Sequence, residues 1–161
     1  MPEFRIGNGY DVHRLVPERK LFLGCVCIPH TLGLLGHSDA DVLCHAIADA
    51  MLGAVGLGDI GRHFPDTDPA YEGMSGETIL LKTRALCEAK GYRLSNADSV
   101  VIAQKPKLAP YLPEMARRIA RALGVEEDCV NVKATTEEKL GFTGAEEGIA
   151  AHAVCIMRRI G

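Results

Sequence analysis

Apolar and polar positions alternate loosely from Phe4 to His13, and Gly7 and Gly9 interrupt the run where a backbone can bend or a ligand can approach. A strand is predicted there. Leu21 to Ile28 is rich in strand formers, broken by Gly24 and closed by Pro29, which predicts a short bent strand or a tight hairpin; a loop from Thr31 to Gly36 follows. Between Asp39 or Asp41 and about Leu57, Val42, Ile47, Met51, Ala54 and Val55 fall near helical spacing, with Ser38 or Asp39 to cap the start and Gly56 or Gly58 to end it. Gly58 to Pro69 is loop by composition. A polar loop of that length in a compact domain is more often functional than idle.

A second helix is predicted over Glu77–Lys90, with Ile79, Leu80, Thr83, Leu86 and Cys87 inward and Gly91 past its end. Ser99–Ala103 reads as a central strand. Pro110–Leu123 is a third helix, started by prolines and stopped by Gly124. Val130–Ala134 alternates as a strand, Thr135–Gly148 is a polar glycine-containing loop, and Ile149–Met157 is a last strand. This order implies an α+β fold: one domain over residues 1–161, a mixed β-sheet with helices packed on one face.

Composition narrows the function. With 18 basic against 21 acidic residues and a net charge of −3, no basic field exists to hold a nucleic-acid backbone. No signal-peptide-like run lies between Met1 and Gly7, and no uncharged window approaches the ~20 residues needed to span a bilayer. The expectation is a soluble cytoplasmic protein that starts near Met1. The six cysteines lack the spacing of a zinc knuckle or a disulfide framework and are expected to be mostly small buried apolar residues. Small side chains dominate the apolar share, which often accompanies oligomers that share burial.

The chemistry concentrates in His37-Ser38-Asp39-Ala40-Asp41-Val42-Leu43-Cys44-His45 and in Asp11-Val12-His13. On a strand, Asp11 and His13 project from one face; on a helix, Asp41 and His45 share one. Asp11, His13 and His45 are therefore candidate ligands of a divalent ion, with a fourth position open to substrate. Against this, His13 ends a strand in solvent and His45 is a satisfied core histidine. Asp59-Ile60-Gly61 and Phe64-Pro65-Asp66-Thr67-Asp68 either hold hydroxyl groups or form Asx turns. Gln104-Lys105-Pro106-Lys107 suits a phosphate or is an ordinary basic loop, and Lys133 to Gly144 offers hydroxyls, a carboxylate and glycines. Their common denominator is phosphoryl chemistry.

These motifs, with Gly9-Tyr10-Asp11-Val12-His13 first and Val132-Lys133-Ala134-Thr135-Thr136-Glu137-Glu138-Lys139-Leu140-Gly141-Phe142-Thr143-Gly144 last, resemble in order and spacing the 2-C-methyl-D-erythritol 2,4-cyclodiphosphate synthase family over essentially the whole chain. The resemblance implies a homotrimer with active sites between neighbouring subunits. It implies conversion of 4-diphosphocytidyl-2-C-methyl-D-erythritol 2-phosphate to the cyclic diphosphate and CMP, in non-mevalonate isoprenoid biosynthesis. By motif, Asp11, His13 and His45 would bind zinc, and Glu138 would help hold magnesium or manganese between the substrate's α and β phosphates. His37 and Thr136 would stabilise the transition state. Asp59, Ile60, Gly61, Phe64, Pro65, Asp66, Thr67 and Asp68 would surround the methylerythritol part. Ala103, Gln104, Lys105, Pro106, Lys107, Leu108 and Ala109 with Thr135 and Thr136 would take the cytidine diphosphate from the adjacent subunit. Val12, Ser38, Glu137 and Phe142 complete the implied substrate-binding set, and Asp39 and Asp41 would orient the turn behind it. Ala145 stands where the family often carries arginine after Phe-Thr-Gly. The competing possibilities are a catalytically silent, zinc-stabilised trimeric binding protein of the same fold and a metal-dependent phosphohydrolase.

Overall fold

A computed structural model describes residues 1–161. Strand β1 (Phe4–Pro17) is longer than the alternation predicts and forms the frame of the molecule. It pairs antiparallel with β7 (Gly148–Arg159), which pairs antiparallel with β5 (Tyr92–Ile102); β5 runs parallel to β6 (Val130–Thr135). The three-residue strand β4 (Leu32–Leu34), in the stretch predicted as loop, closes the other edge against Leu15–Pro17, giving the order β4-β1-β7-β5-β6. Three residues are too few for a periodic signal, and it is the extension of β1 that recruits them. β2 (Leu21–Leu23) and β3 (Val26–Ile28) form a separate hairpin turned by Gly24 and Cys25, both with positive φ.

Helices α1 (Val42–Ala54), α3 (Gly76–Ala89) and α4 (Leu112–Leu123) pack together with one sheet face around a single core cluster. The predicted loop from residue 58 to 69 contains the short helix α2 (Ile60–His63) and runs into a 3-10 turn at Pro69–Tyr71, while α5 (Gly141–Gly144) interrupts the loop after β6. Along β1 the odd-numbered positions face the helices. Gly7 and Gly9 are bare for the sake of α1: an added Cβ would sit 1.8 Å from the Ala50 carbonyl oxygen or 1.9 Å from that of Ala46. The two glycines therefore serve helix packing, and α1 answers with Ala46, Ala50 and Ala54. Such close approach sets how far His45 lies from β1.

The even-numbered positions leave the other sheet face uncovered. Phe4, Ile6, Tyr10 and Val12 on β1 and Val154 and Ile156 on β7 are exposed there, Ile6 to 73%. Of the six cysteines, none is in a disulfide; Cys44, Cys87 and Cys155 are buried as expected, whereas Cys25 and Cys129 are half-buried and Cys27 is exposed. Burial pushes the Cys87 and Cys155 thiols up to about 12, which keeps both protonated within the core. No helix is long and apolar enough to cross a membrane.

Candidate functional site

Asp11 and His13 leave β1 on the helix side two residues apart, and α1 delivers His45 between them. His45 Nδ1 lies 3.0 Å from Asp11 Oδ2 and 3.2 Å from His13 Nε2, and His13 Nε2 lies 3.0 Å from the same carboxylate oxygen. This triangle tests the metal. Around a tetrahedral ion with bonds of about 2.0–2.1 Å, ligand atoms stand ~3.3 Å apart, so the donors need to spread only slightly. His13 Nδ1 donates to the Leu35 carbonyl oxygen at 2.9 Å, which leaves Nε2 with a lone pair facing the triangle. When His45 Nδ1 acts as a ligand, its Nε2–H donates to Ser38 Oγ, 3.2 Å away. One carboxylate and two oriented imidazoles on a cavity wall fit a divalent cation.

Electrostatics agree with an anion set to receive positive charge. Burial alone would raise the Asp11 carboxyl, but hydrogen bonds from His13 and His45 outweigh it and hold Asp11 well below the usual carboxylate range. Burial alone would lower His13. Its bond to Asp11 and that carboxylate's charge reverse the direction and raise it above its ordinary 6.5.

The turn before α1 is held by the aspartates, and it separates His37 from His45. Asp41, fully buried, is the cap of α1, where Ser38 or Asp39 was predicted. Its Oδ1 accepts from Gly24 N and Cys44 N and its Oδ2 from Cys25 N, at 2.8–3.1 Å. Asp39 accepts from Asp41 N and Gly76 N, tying the turn to the start of α3. Ala40, with φ 59, lets the chain reverse so that His37 and His45 point differently.

A cavity of about 660 Å³ opens beside the triangle, lined by Asp11, His13 and His45, by His37 and Ser38, and by Ile60, Gly61, Phe64, Pro65, Asp66 and Thr67. His37 spans its mouth: Nε2–H donates to the Asp68 carbonyl at 3.0 Å, and its own carbonyl accepts from Gly73 N at 2.9 Å. Asp59 and Asp68 cap α2 and the following 3-10 turn, accepting from Arg62 N and Ala70 N, so their carboxylates shape the wall without lining it.

The remaining candidates lie elsewhere on the chain. Val12 points to the uncovered sheet face and joins Tyr10, Arg14 and Phe142 around a smaller cavity. Ala103 to Ala109 follow β5, two strands from β1, and Thr135 to Glu138 run on from the end of the neighbouring β6, three strands from β1. Gln104 Oε1 accepts from Lys139 N, joining the two loops; Lys105-Pro106 is cis. Thr136 Oγ1 accepts from Glu138 N at 3.3 Å, Glu137 accepts from Thr143 Oγ1, and Glu138 is exposed. None of these lines the larger cavity within one chain.

Sequence reasoning missed the supports. Tyr71, Met74 and Ile79 line the cavity, Arg19 holds the Ser38 carbonyl, and Asp49 accepts from Ile60 N at 2.8 Å. Asp49 had a signal: it follows His45 by four on α1 and so shares its face.

Comparison with known proteins now bears on this site. A family model described as the YgbB family matches residues 4–158. The chain is 63% identical to the 2-C-methyl-D-erythritol 2,4-cyclodiphosphate synthase of Syntrophotalea carbinolica over 155 residues, 96% of this chain and 94% of that protein. Among solved structures it is similar to the IspF CDP complex of Plasmodium falciparum, with TM-score 0.87 and 34% identity over 100% of this chain and 99% of that one. It is also similar to the bifunctional IspDF of Campylobacter jejuni, with TM-score 0.94 and 43% identity over 98% of this chain, which spans 43% of that longer one. A metal-ready triangle on β1 and α1, set in a fold shared at this similarity, makes the chain a member of the YgbB family of 2-C-methyl-D-erythritol 2,4-cyclodiphosphate synthases.

Proposed function

We infer that the chain is a lyase of isoprene biosynthesis that cyclises 4-diphosphocytidyl-2-C-methyl-D-erythritol 2-phosphate to 2-C-methyl-D-erythritol 2,4-cyclodiphosphate with release of CMP. The observation that carries this is the convergence of Asp11, His13 and His45 on one cavity wall, in a chain so similar to synthases of that name. The 2-phosphate oxygen attacks the β phosphorus of the same molecule, and the bond from that phosphorus to the CMP oxygen breaks. No side-chain nucleophile is needed, so the protein's tasks are positioning and charge neutralisation.

Asp11, His13 and His45 would hold zinc or another divalent cation, which supplies a Lewis acid against the β-phosphate oxygens. Ser38 Oγ accepts from Ala40 N and from His45, so its own hydrogen is free for a substrate oxygen. His37 fixes the loop of Phe64 to Asp68 over the methylerythritol part. Thr136 Oγ1 accepts from Glu138 N and keeps its hydrogen for developing negative charge. Glu138 offers one exposed carboxylate, so magnesium or manganese there would take its other ligands from the substrate phosphates and water.

The active assembly in this proposal is a cytoplasmic homotrimer of single-domain subunits. Two facts support it: an apolar sheet face with no cover, and nucleotide-binding candidates two and three strands away from β1, outside the cavity they are meant to complete. A neighbouring subunit docked on that face would supply the loops after β5 and β6. Phosphorus NMR of the product tests the reaction: a cyclic diphosphate with stoichiometric CMP is expected, and free inorganic phosphate would refute it.

A further inference from the structure

Outside this site, one pair of sulfurs has no assigned task. Cys25 sits in the two-residue turn of the β2–β3 hairpin, and Cys44 is the third residue of α1. Their sulfurs are 3.5 Å apart. Both backbones are fixed: the Asp41 carboxylate accepts from Cys25 N at 2.8 Å and Cys44 N at 3.1 Å, and Arg118 Nη1 donates to the Cys25 carbonyl at 2.8 Å. Cys25 has φ 67, a left-handed conformation that glycine adopts at no cost and a side chain only with strain. A cysteine is thus held in a glycine's place with its sulfur against a second sulfur.

We propose that Cys25 and Cys44 are a reversible dithiol–disulfide modification site, oxidised by low-molecular-weight disulfides. Cys25 is half-buried, so it is the sulfur a small molecule would meet first, whereas Cys44 is fully buried. Cys25 Sγ attacks one sulfur of the small disulfide, whose other half leaves as a thiol with the Cys25 proton. Cys44 Sγ then attacks Cys25 Sγ and expels the second half as a thiol with the Cys44 proton. One sulfur–sulfur bond breaks and one forms, and two electrons pass from the pair to the small disulfide. A metal is the poorer occupant, because both Asp41 oxygens are spent on three backbone N–H groups and only two sulfurs remain as donors. The bond would join the hairpin to the first turn of α1 immediately before His45. The proposal does not depend on the reaction catalysed.

The test equilibrates the full-length, zinc-loaded protein with oxidised glutathione, quenches it, alkylates the remaining thiols under denaturing conditions and maps the peptides by mass spectrometry. The expected result is the loss of two of the six free thiols, a Cys25–Cys44 cross-linked peptide, and full recovery with dithiothreitol. Cys27→Ser keeps the cross-link. Cys25→Gly, which suits the left-handed turn and so folds, abolishes it. A mixed disulfide on exposed Cys27 alone, a Cys25–Cys27 link, six intact thiols, or thiol loss caused by added zinc without a cross-link would each overturn the proposal.

Discussion

Substituting Gly9 by alanine tests whether the closeness of α1 to β1 builds the metal triangle. The new Cβ would fall 1.9 Å from the Ala46 carbonyl oxygen and 2.9 Å from Ala50 N. Cβ atoms essentially never come within 3.0 Å of such backbone atoms, so α1 must withdraw by at least about 1.1 Å at the residue next to His45. That motion stretches the 3.0 and 3.2 Å sides of the triangle while leaving the Asp11–His13 side intact. Overpacking a well-filled interior costs ~1–3 kcal/mol, and a rigid backbone obstacle puts this case at the upper end. Zinc affinity should fall ~10–100-fold, the scale of losing a ligand's support. Gly53→Ala is the control, since its Cβ meets nothing within 4 Å on the exposed side of α1; it should raise stability by ~0.5–1 kcal/mol with zinc affinity unchanged. Urea unfolding and competitive zinc titration measure both. Wild-type affinity in Gly9→Ala would mean that the closeness of α1 to β1 does not set the triangle.

Further outcomes follow from the same geometry. In the metal-free protein the stability supplied by the raised His13 value is complete below pH 6.5 and is lost as pH rises through the folded value, whereas that supplied by lowered Asp11 is lost only as pH falls below 3.8. Zinc needs His13 deprotonated, so the rise in Tm on adding zinc should grow as pH increases through 6.5; a zinc effect independent of pH would contradict this. Asp41→Ala strands three backbone N–H groups at ~1–3 kcal/mol each, so urea unfolding should show a loss of about 3 kcal/mol or more, and a loss under 1 would count against the clamp. Ile6→Lys combined with Ile156→Lys places charge on both members of an apolar cross-strand pair on the uncovered sheet face. Sedimentation should then show monomers where the proposed trimer forms in the unsubstituted protein, and an unchanged oligomer would place the interface elsewhere.

Much of the site could be read from residue order because its parts obey local periodicities. Asp11 and His13 share a face by the two-residue period of a strand, and His45 lies on a helix whose spacing is plain in the sequence. Helical spacing picks out His45 as the third member; what spacing does not show is how the turn before the helix is held, which rests on the left-handed Ala40 and on the hydrogen bonds of Asp39 and Asp41. Gly7 and Gly9 announced close approach without saying of what; the partner is forty residues away in the chain. Strand β4 and helix α2 were invisible because three or four residues carry no period, and both exist through tertiary bonds, such as that from Ile60 N to Asp49. The loops after β5 and β6 have a composition that suits phosphate and equally an ordinary polar loop. Their distance from the cavity within one chain becomes meaningful only with the sheet order in hand.

In the proposed mechanism Asp11, His13 and His45 hold the ion on which cyclisation depends. The most direct measurement is CMP release by the chelated protein, by the same protein with zinc restored, and by His45→Ala. Turnover should fall by at least ~10–100-fold on chelation, return with zinc, and stay lost in the variant. Full CMP release from metal-free or His45→Ala protein would contradict it.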